Sequence, residues 1–114
     1  MKPIQQVMIA GGAGFIGQNL VRALLSSNKT TRITVVDKKD FVTTRLLPMI
    51  PDRLICHEID ILDQKNMEDL FGAQKFDVLI NLAACAGVAE SIADPRSNFE
   101  ANVVGQFNLL DLHY

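Results

Sequence analysis

The sequence predicts an α/β protein with a doubly wound parallel sheet. Apolar strand-like stretches alternate with helical patterns along the chain, a glycine-rich stretch joins the first strand to the first helix, and acidic residues follow later strands. Alternating strands and helices form parallel sheets, and right-handed crossovers then favour the strand order 3-2-1-4. We therefore expect about four strands in a single domain over residues 1–114.

The composition is that of an ordinary globular protein, with 48% hydrophobic and 21% charged residues. A net charge of −2 gives no electrostatic signature for nucleic acid or for an acidic membrane. No apolar run approaches the roughly 20 residues that span a bilayer. Two cysteines, Cys56 and Cys85, are too few for a disulfide framework. We expect a cytoplasmic protein with free thiols and with neither nucleic acid nor membrane as a partner.

The first half of the chain predicts two strands and one helix. Residues 4–10 are almost continuously apolar, as in a strand that is covered on both faces. Apolar residues then recur at helical spacing over 15–27, and Asn28 fits the end of that helix. Residues 33–36 form a β-branched second strand. Prolines punctuate 38–53, which predicts a loop-rich connection with room for one short helix.

Two further strands and a helix are predicted in the second half. Residues 54–59 form the third strand, and residues 78–84 form the fourth. Between them, Asp63 is expected to be the N-cap of a helix that runs through Phe71, with Gly72 placed to end it.

A last helix is expected to follow a loop of small residues. Asp94 and Pro95 suit the cap and the first helical position, and the helix then runs almost to residue 114. Its apolar stripe consists of Phe99, Val103, Phe107 and Leu110.

The glycine-rich stretch carries the first functional signal. Gly11, Gly14 and Gly17 are spaced G-x-x-G-x-x-G between the first strand and the first helix. Such glycines make a tight turn, let a diphosphate approach the backbone and let the helix pack closely on the strand. The helix N-terminus then offers N–H groups to the anion. A tight turn that binds nothing also favours glycine, so this stretch alone does not decide between the two interpretations.

Asp37 supports the nucleotide interpretation. It ends the second strand, 20 residues after Gly17, close to the spacing at which such folds place a carboxylate on the adenosine ribose hydroxyls. A carboxylate there repels a 2′-phosphate, which favours NAD over NADP, although Lys38 and Lys39 weaken that inference. The alternative is a solvated turn residue, and the glycine stretch ahead of Asp37 favours the functional interpretation.

Asp60 follows the third strand, where loops of open α/β sheets reach the ligand crevice. Its side chain is suited to bonding the adenine amino group, with the backbone of Ile61 reading the ring edge. Alternatively, Asp60 braces the turn before Asp63. The spacing leaves both interpretations open.

Several segments together resemble the extended short-chain dehydrogenase/reductase family, the NAD-dependent nucleotide-sugar epimerases and dehydratases. They occur in the family's order: residues 11–17, Asp37, residues 60–63, residues 81–84 and residues 102–110. Residues 83–88 with Ser91 and Pro95 are most similar to the 4-epimerases of nucleotide-linked uronic acids. Two departures are Ala10, where the family often has threonine, and Asn81, where many members have histidine.

The resemblance implies a Rossmann fold, NAD as cofactor and a role for each matched residue. The pyrophosphate would lie on the glycine loop, at Gly11, Gly14, Phe15, Ile16 and Gly17. The ribose would bind Asp37, and the adenine would lie beside the third strand, at Asp60 and Ile61. The passage for the cofactor would be lined by Leu82, Ala83 and Ala84, and Asn102 would face the cofactor from the last helix. Without the family, Asn102 would be interpreted as an ordinary exposed helix residue.

The family's chemistry uses a Tyr-x-x-x-Lys pair, in which the lysine lowers the pKa of the catalytic tyrosine. This sequence has one tyrosine, Tyr114, at its last position, so no catalytic residue is assigned. The Cys56-His57-Glu58 run with Asp60 and Asp63 does not predict a metal site, because neighbours in a strand point to opposite faces.

Three functions remain open. In the first, the chain is the amino-terminal, NAD-binding part of a nucleotide-sugar epimerase or dehydratase that needs its missing half to bind a sugar nucleotide. In the second, it is a non-catalytic NAD-binding sensor or interaction module. In the third, it is a relic that folds but binds nothing useful. The fourth strand has no proline or charge over 78–82 to block further pairing. We therefore expect a homo-oligomer that forms through this strand or through the apolar face of the last helix.

Overall fold

The computed structural model describes residues 3–27, 31–38, 52–84 and 87–114, which form a parallel sheet with helices on both faces. The strands are β1 (Gln6–Ala10), β2 (Arg32–Asp37), β3 (Leu54–Glu58) and β4 (Val78–Asn81). The helices are α1 (Phe15–Ser27), α2 (Gln64–Ala73), α3 (Val88–Ala93), α4 (Pro95–Phe99) and α5 (Gly105–His113), with a π-helical turn (Glu100–Val104) between the last two.

The sheet has the order β3-β2-β1-β4, and every pair of neighbours is parallel. This confirms the predicted fold class and strand order. In the register, Ile9 of β1 lies between Val35 of β2 and Ile80 of β4. The central strands are buried on both sides, which explains why their sequences are continuously apolar rather than alternating.

The core forms two layers because alternate residues of β1 point to opposite faces of the sheet. Ile9 packs in the layer that contains Val21 of α1. Met8 packs in the other layer with Met67 of α2 and Leu109 of α5. All five of these side chains are fully buried, so the sheet is covered on both faces around β1.

Both predicted N-caps are confirmed. The Asp63 side chain accepts from the Asn66 N–H at 3.4 Å, and the Asp94 side chain accepts from the Ser97 N–H at 3.2 Å, with Pro95 opening α4. The side-chain hydrogen bond from Ser97, followed by its backbone bond, lowers the pKa of the Asp94 carboxyl. These caps fix where two helices begin.

Gly72 does not end α2, contrary to the prediction. The helix continues through Ala73, and its C-cap is Gln74 in an extended conformation. The positive φ that makes glycine a helix terminator is absent at Gly72, since the described glycines with positive φ are Gly11 and Gly87.

The fourth strand is shorter than predicted, and the expected small-residue loop contains the short helix α3. Strand β4 ends at Asn81, whose side chain accepts a hydrogen bond from the Ala83 N–H at 3.0 Å. This local bond gives the backbone a turn in place of a continued ladder. Residues 82–84 therefore lie beyond the strand, and β3 likewise stops at Glu58.

The last helix faces the core through residues outside the predicted stripe. Leu109 and Gly105 are buried, whereas Phe99, Val103 and Phe107 are 52–64% exposed and Leu110 is 43% exposed. We call these four exposed side chains the apolar stripe. It lies on the solvent side of the described structure.

Several expectations fall on residues outside the described ranges. They are Asn28, Lys39, Cys85 and the short helix expected within 38–53. Among the helices that are described, none combines the length and the apolar character needed to cross a membrane.

Candidate functional site

A cleft of about 290 Å³ opens at the carboxyl ends of the strands. The chain leaves β1 toward β2 on one side, while β4 lies on the other side, so the cleft sits at the point where strand order reverses. Open α/β sheets bind ligands at this point. The lining residues are Gly11, Gly14, Val36, Asp37, Lys38, Ile59, Asp60, Ile61, Leu62, Leu82, Ala83, Ala84, Ser97, Glu100 and Ala101.

Gly11 forms the tight turn after β1. Its φ is +80°, and a β-carbon built there would lie 2.5 Å from the Ala83 nitrogen and from the Leu82 carbonyl carbon. Both the conformation and the space therefore require glycine. The Gly11 N–H donates to the Val36 carbonyl at 2.8 Å, which joins this turn to the end of β2.

Gly17 lets α1 approach the loop closely. A β-carbon at this position would lie 2.5 Å from the Gly11 carbonyl oxygen and 2.5 Å from the Gly12 Cα. Gly12, which the predicted motif did not use, is equally confined, because a β-carbon there would collide with Val35. The signal for Gly12 was present in the sequence as the Gly11-Gly12 pair.

The loop and the start of α1 fit an anionic group such as a pyrophosphate. A β-carbon at Gly14 would meet only the Gly11 carbonyl oxygen, at 3.4 Å, so this glycine leaves the cleft side of the loop open. The amides of the first helical turn, at Phe15 and Ile16, have no intrahelical acceptor. Together these features form a cradle of backbone N–H groups at a helix N-terminus.

Asp37 ends β2 at the cleft and is tied to the glycine loop. Its Oδ2 accepts from the Ala13 N–H at 3.0 Å, which orients the carboxylate. The side chain is partly buried and lines the cleft. A carboxylate held in this way is suited to accept hydrogen bonds from a ligand's hydroxyl groups.

Asp60 combines features of both interpretations that its spacing left open. Its Oδ1 accepts from the Leu62 N–H at 3.0 Å, and its carbonyl accepts from the Asp63 N–H at 2.8 Å, so Asp60 does brace the turn. It also lines the cleft beside Ile61. Its contact with adenine stays a prediction.

The far wall of the cleft is built where β4 ends. The Leu82 N–H donates to the Ala10 carbonyl at 2.7 Å, which brings Leu82, Ala83 and Ala84 beside the Gly11 turn. Asn81 holds this wall, because its side chain accepts from Ala83 and donates to the Gln106 side chain of α5.

The structure brings eight of the predicted site residues to the cleft: Gly11, Gly14, Asp37, Asp60, Ile61, Leu82, Ala83 and Ala84. Four others do not line it. Phe15 and Ile16 have side chains that are 85% and 67% exposed, and Gly17 is buried beneath the loop. Asn102 is exposed on the π-helical turn, where its amide donates to the Asn98 Oδ1 at 3.2 Å.

Sequence reasoning missed the contribution of α4 and the π-helical turn to the cleft. Ser97, Glu100 and Ala101 line it together. Their spacing of three and four places them on one helical face, which is a signal that the sequence contained.

Among the residues that the structure describes, no group of three or more His, Cys, Asp or Glu side chains is placed to hold a metal ion. Cys56 is partly buried in β3, and burial raises the pKa of its thiol to about 11, which keeps it protonated near neutral pH.

Residues 8–113 match the model of the GDP-mannose 4,6 dehydratase family. The chain belongs to this family. The match confirms the resemblance to NAD-dependent epimerases and dehydratases, since it extends from β1 to the end of α5.

Relatives in the family include both epimerases and dehydratases. The chain is 34% identical to a bifunctional UDP-glucose 4-epimerase and UDP-xylose 4-epimerase of Arabidopsis thaliana, over 94% of this chain and 32% of the relative. It is also 34% identical to a dTDP-glucose 4,6-dehydratase of Mycolicibacterium smegmatis, over 93% of this chain and 32% of the relative.

A solved structure shows the same fold with a cofactor. The UDP-glucose 4-epimerase of Thermus thermophilus, in complex with NAD, superposes with a TM-score of 0.79 at 30% identity, over 95% of this chain and 33% of that one. The chain thus spans about a third of the length of the relatives that it matches. The similarity to a uronate 4-epimerase stays a prediction.

Proposed function

We propose that this chain is the NAD-binding portion of a nucleotide-sugar epimerase or dehydratase, with residues 1–114 as one dinucleotide-binding domain. It binds NAD, and these 114 residues alone do not turn over a sugar. When bound, NAD would accept a hydride from the sugar carbon that bears the hydroxyl group. The chain's own contribution is to hold the cofactor.

One observation carries the proposal: the glycine loop and Asp37 meet in a cleft at the switch point of the sheet. The hydrogen bond from Ala13 to Asp37 fixes the carboxylate relative to the loop. Backbone N–H groups for a pyrophosphate and a carboxylate for ribose hydroxyls are therefore available at one site. The NAD complex of the Thermus thermophilus relative supports the same cofactor.

The acidic character of the cleft favours NAD over NADP. Its lining includes three carboxylates, on Asp37, Asp60 and Glu100, whereas the described lining residues include one cation, Lys38. A 2′-phosphate on the ribose would add negative charge next to Asp37. Like charges at short distance repel, so we expect NADP to bind more weakly.

The change Asp37→Ala tests the proposal. We expect it to weaken NAD binding at least about tenfold, because hydrogen bonds to a charged group typically contribute about 1.5–3 kcal/mol. Isothermal titration calorimetry measures the effect. Asp52→Ala, which removes the same charge from an exposed turn outside the cleft, is the matched control and should leave the affinity unchanged. Equal affinity for wild type and Asp37→Ala would remove Asp37 from the site.

The proposed lack of turnover rests on the residues that are present. The family's pair is Tyr-x-x-x-Lys, and these 114 residues contain no such pair. A sugar nucleotide would be a partner only where a catalytic half that carries the pair is supplied. Conversion of a UDP-sugar by the isolated 114 residues would contradict this part of the proposal.

We further propose that the isolated chain forms homo-oligomers through β4 or through the apolar stripe. Within the described strands, β4 pairs on one side only, with β1. The stripe leaves four large apolar side chains exposed along α4, the π-helical turn and α5. Exposed edges and apolar patches of this kind favour association.

Sedimentation velocity tests this association. We expect species larger than the 12.6 kDa monomer at high concentration. Phe107→Glu, which places a charge in the stripe, should shift the distribution toward monomer if the stripe is the contact, whereas an unchanged distribution points to β4. A wild-type chain that stays monomeric at the highest soluble concentration would rule out both surfaces.

A further inference from the structure

The π-helical turn Glu100–Val104 determines which residues of the last helix reach the cleft. The Gly105 N–H donates to the Glu100 carbonyl, which closes the wide turn. Gly105 is buried against Ile61, where an added β-carbon would lie 2.5 Å from the Ile61 Cδ1. The helix is therefore pressed against the loop that follows β3. Such wide turns interrupt α-helices frequently at functional sites.

The result is that Glu100, rather than Asn102, is the polar residue that the turn presents to the cleft. Glu100 is partly buried and lines the cleft with Ala101, while Asn102 is exposed and donates to Asn98. Ser97 also lines the cleft, but its hydroxyl donates to the Asp94 Oδ2 at 2.7 Å.

The Glu100 carboxylate has unused hydrogen-bonding capacity. Across residues 3–27, 31–38, 52–84 and 87–114, no side chain or backbone group forms a hydrogen bond or ion pair with it. An ionised carboxylate only accepts hydrogen bonds, and those it accepts from a ligand donor in a cleft are stronger than neutral ones. The complement of Glu100 is therefore a ligand group with an N–H or O–H donor.

We propose that Glu100 is a specificity-determining residue of the cofactor site, whose carboxylate accepts a hydrogen bond from the 6-amino group of the adenine. This inference rests on the proposed function. It follows from two observations: Glu100 and Asp60 line the same cleft, and the helix after the π-helical turn packs at Gly105 against Ile61, the neighbour of Asp60. The adenine 6-amino group has two N–H donors, one for the Asp60 carboxylate and one for the Glu100 carboxylate.

The test replaces the amino group on the ligand. Nicotinamide hypoxanthine dinucleotide carries a carbonyl oxygen at position 6, which repels a carboxylate. Wild type should bind NAD about tenfold more tightly than this analogue, in line with a charge-assisted hydrogen bond. In Glu100→Gln, the side-chain amide has a donor for the carbonyl, so the preference for NAD should fall several-fold below that of wild type, while Asp60 keeps part of it.

Two further variants keep the result interpretable. Glu100→Ala should also reduce the preference for NAD, to the part that Asp60 retains. Asp111→Asn removes one negative charge from an exposed position on α5, outside the cleft, and should retain the wild-type ratio. Thermal unfolding of each variant establishes that it is folded.

The outcomes separate the two proposals. A ratio that falls in Glu100→Gln and Glu100→Ala but not in Asp111→Asn supports the role of Glu100. If wild type binds NAD and the Glu100 variants retain its ratio, Glu100 does not read the adenine and the proposed function stands. If wild type binds neither dinucleotide, the proposed function fails and this inference fails with it.

Discussion

At the scale of single residues, the space around each glycine separates its structural role from its functional one. A β-carbon at Gly17 would meet backbone atoms at 2.5 Å, so Gly17 serves the packing of α1. A β-carbon at Gly14 would have room within the protein, and Gly14 lines the cleft in which the pyrophosphate is proposed to lie. At Gly72 nothing lies within 4 Å. The three positions predict three different effects of one substitution.

We expect Gly14→Ala to weaken NAD binding by about tenfold or more while changing the unfolding free energy by less than about 1 kcal/mol. Gly17→Ala should instead destabilise the protein by about 1–3 kcal/mol, because backbone atoms must shift. Gly72→Ala, in an open helical position, should stabilise it by about 0.5–1 kcal/mol. Urea unfolding and calorimetric titration of the three variants measure both quantities. A Gly14→Ala variant with wild-type affinity would contradict the proposed phosphate position.

The sequence predicted some residues and not others for physical reasons. Asp37 was predictable because its place at a strand end and its distance from the glycines are properties of the chain itself. Glu100 was not singled out, because its approach to the cleft depends on the π-helical turn and on the packing of Gly105 against Ile61. Asp60 shows an intermediate case: its bond to Leu62 is local, while its place in the cleft depends on the fold.

At the scale of elements, helices with side-chain caps were predicted well. The first residues of α2 and α4 follow from Asp63 and Asp94, whose side chains bond backbone N–H groups three residues on. The last helix was harder to orient. Leu109 is buried while Phe107 and Leu110 are exposed, and a helix with apolar residues on several faces does not reveal which one meets the sheet.

Asp63→Ala tests the cap of α2. It removes the acceptor for the Asn66 N–H and the bond from the Asn66 side chain at 2.6 Å, so we expect a loss of about 1 kcal/mol in unfolding free energy. Asp69→Ala, on the exposed surface of the same helix, should stay within about 0.5 kcal/mol of wild type. Equal losses in the two variants, measured by chemical denaturation, would show that the cap contributes nothing specific.

At the scale of the whole molecule, the sheet order determines where a ligand can bind. Because β1 lies between β2 and β4, the loops after β1, β2 and β4 converge on one cleft, and α4 with the π-helical turn closes one side of it. The order was predictable, since alternating strands and helices with right-handed crossovers leave few arrangements. The same topology makes β4 an edge of the described sheet and leaves the apolar stripe exposed. We therefore expect the chain both to bind NAD in the cleft and to associate with further copies of itself.

The central claim is that these residues bind NAD, and a calorimetric titration of the wild-type chain with NAD tests it most directly. We predict a saturable isotherm with one cofactor per chain, and a weaker isotherm with NADP because of the carboxylates that line the cleft. The absence of binding heat at millimolar NAD, at two temperatures and with a folded chain verified by circular dichroism, would contradict the claim.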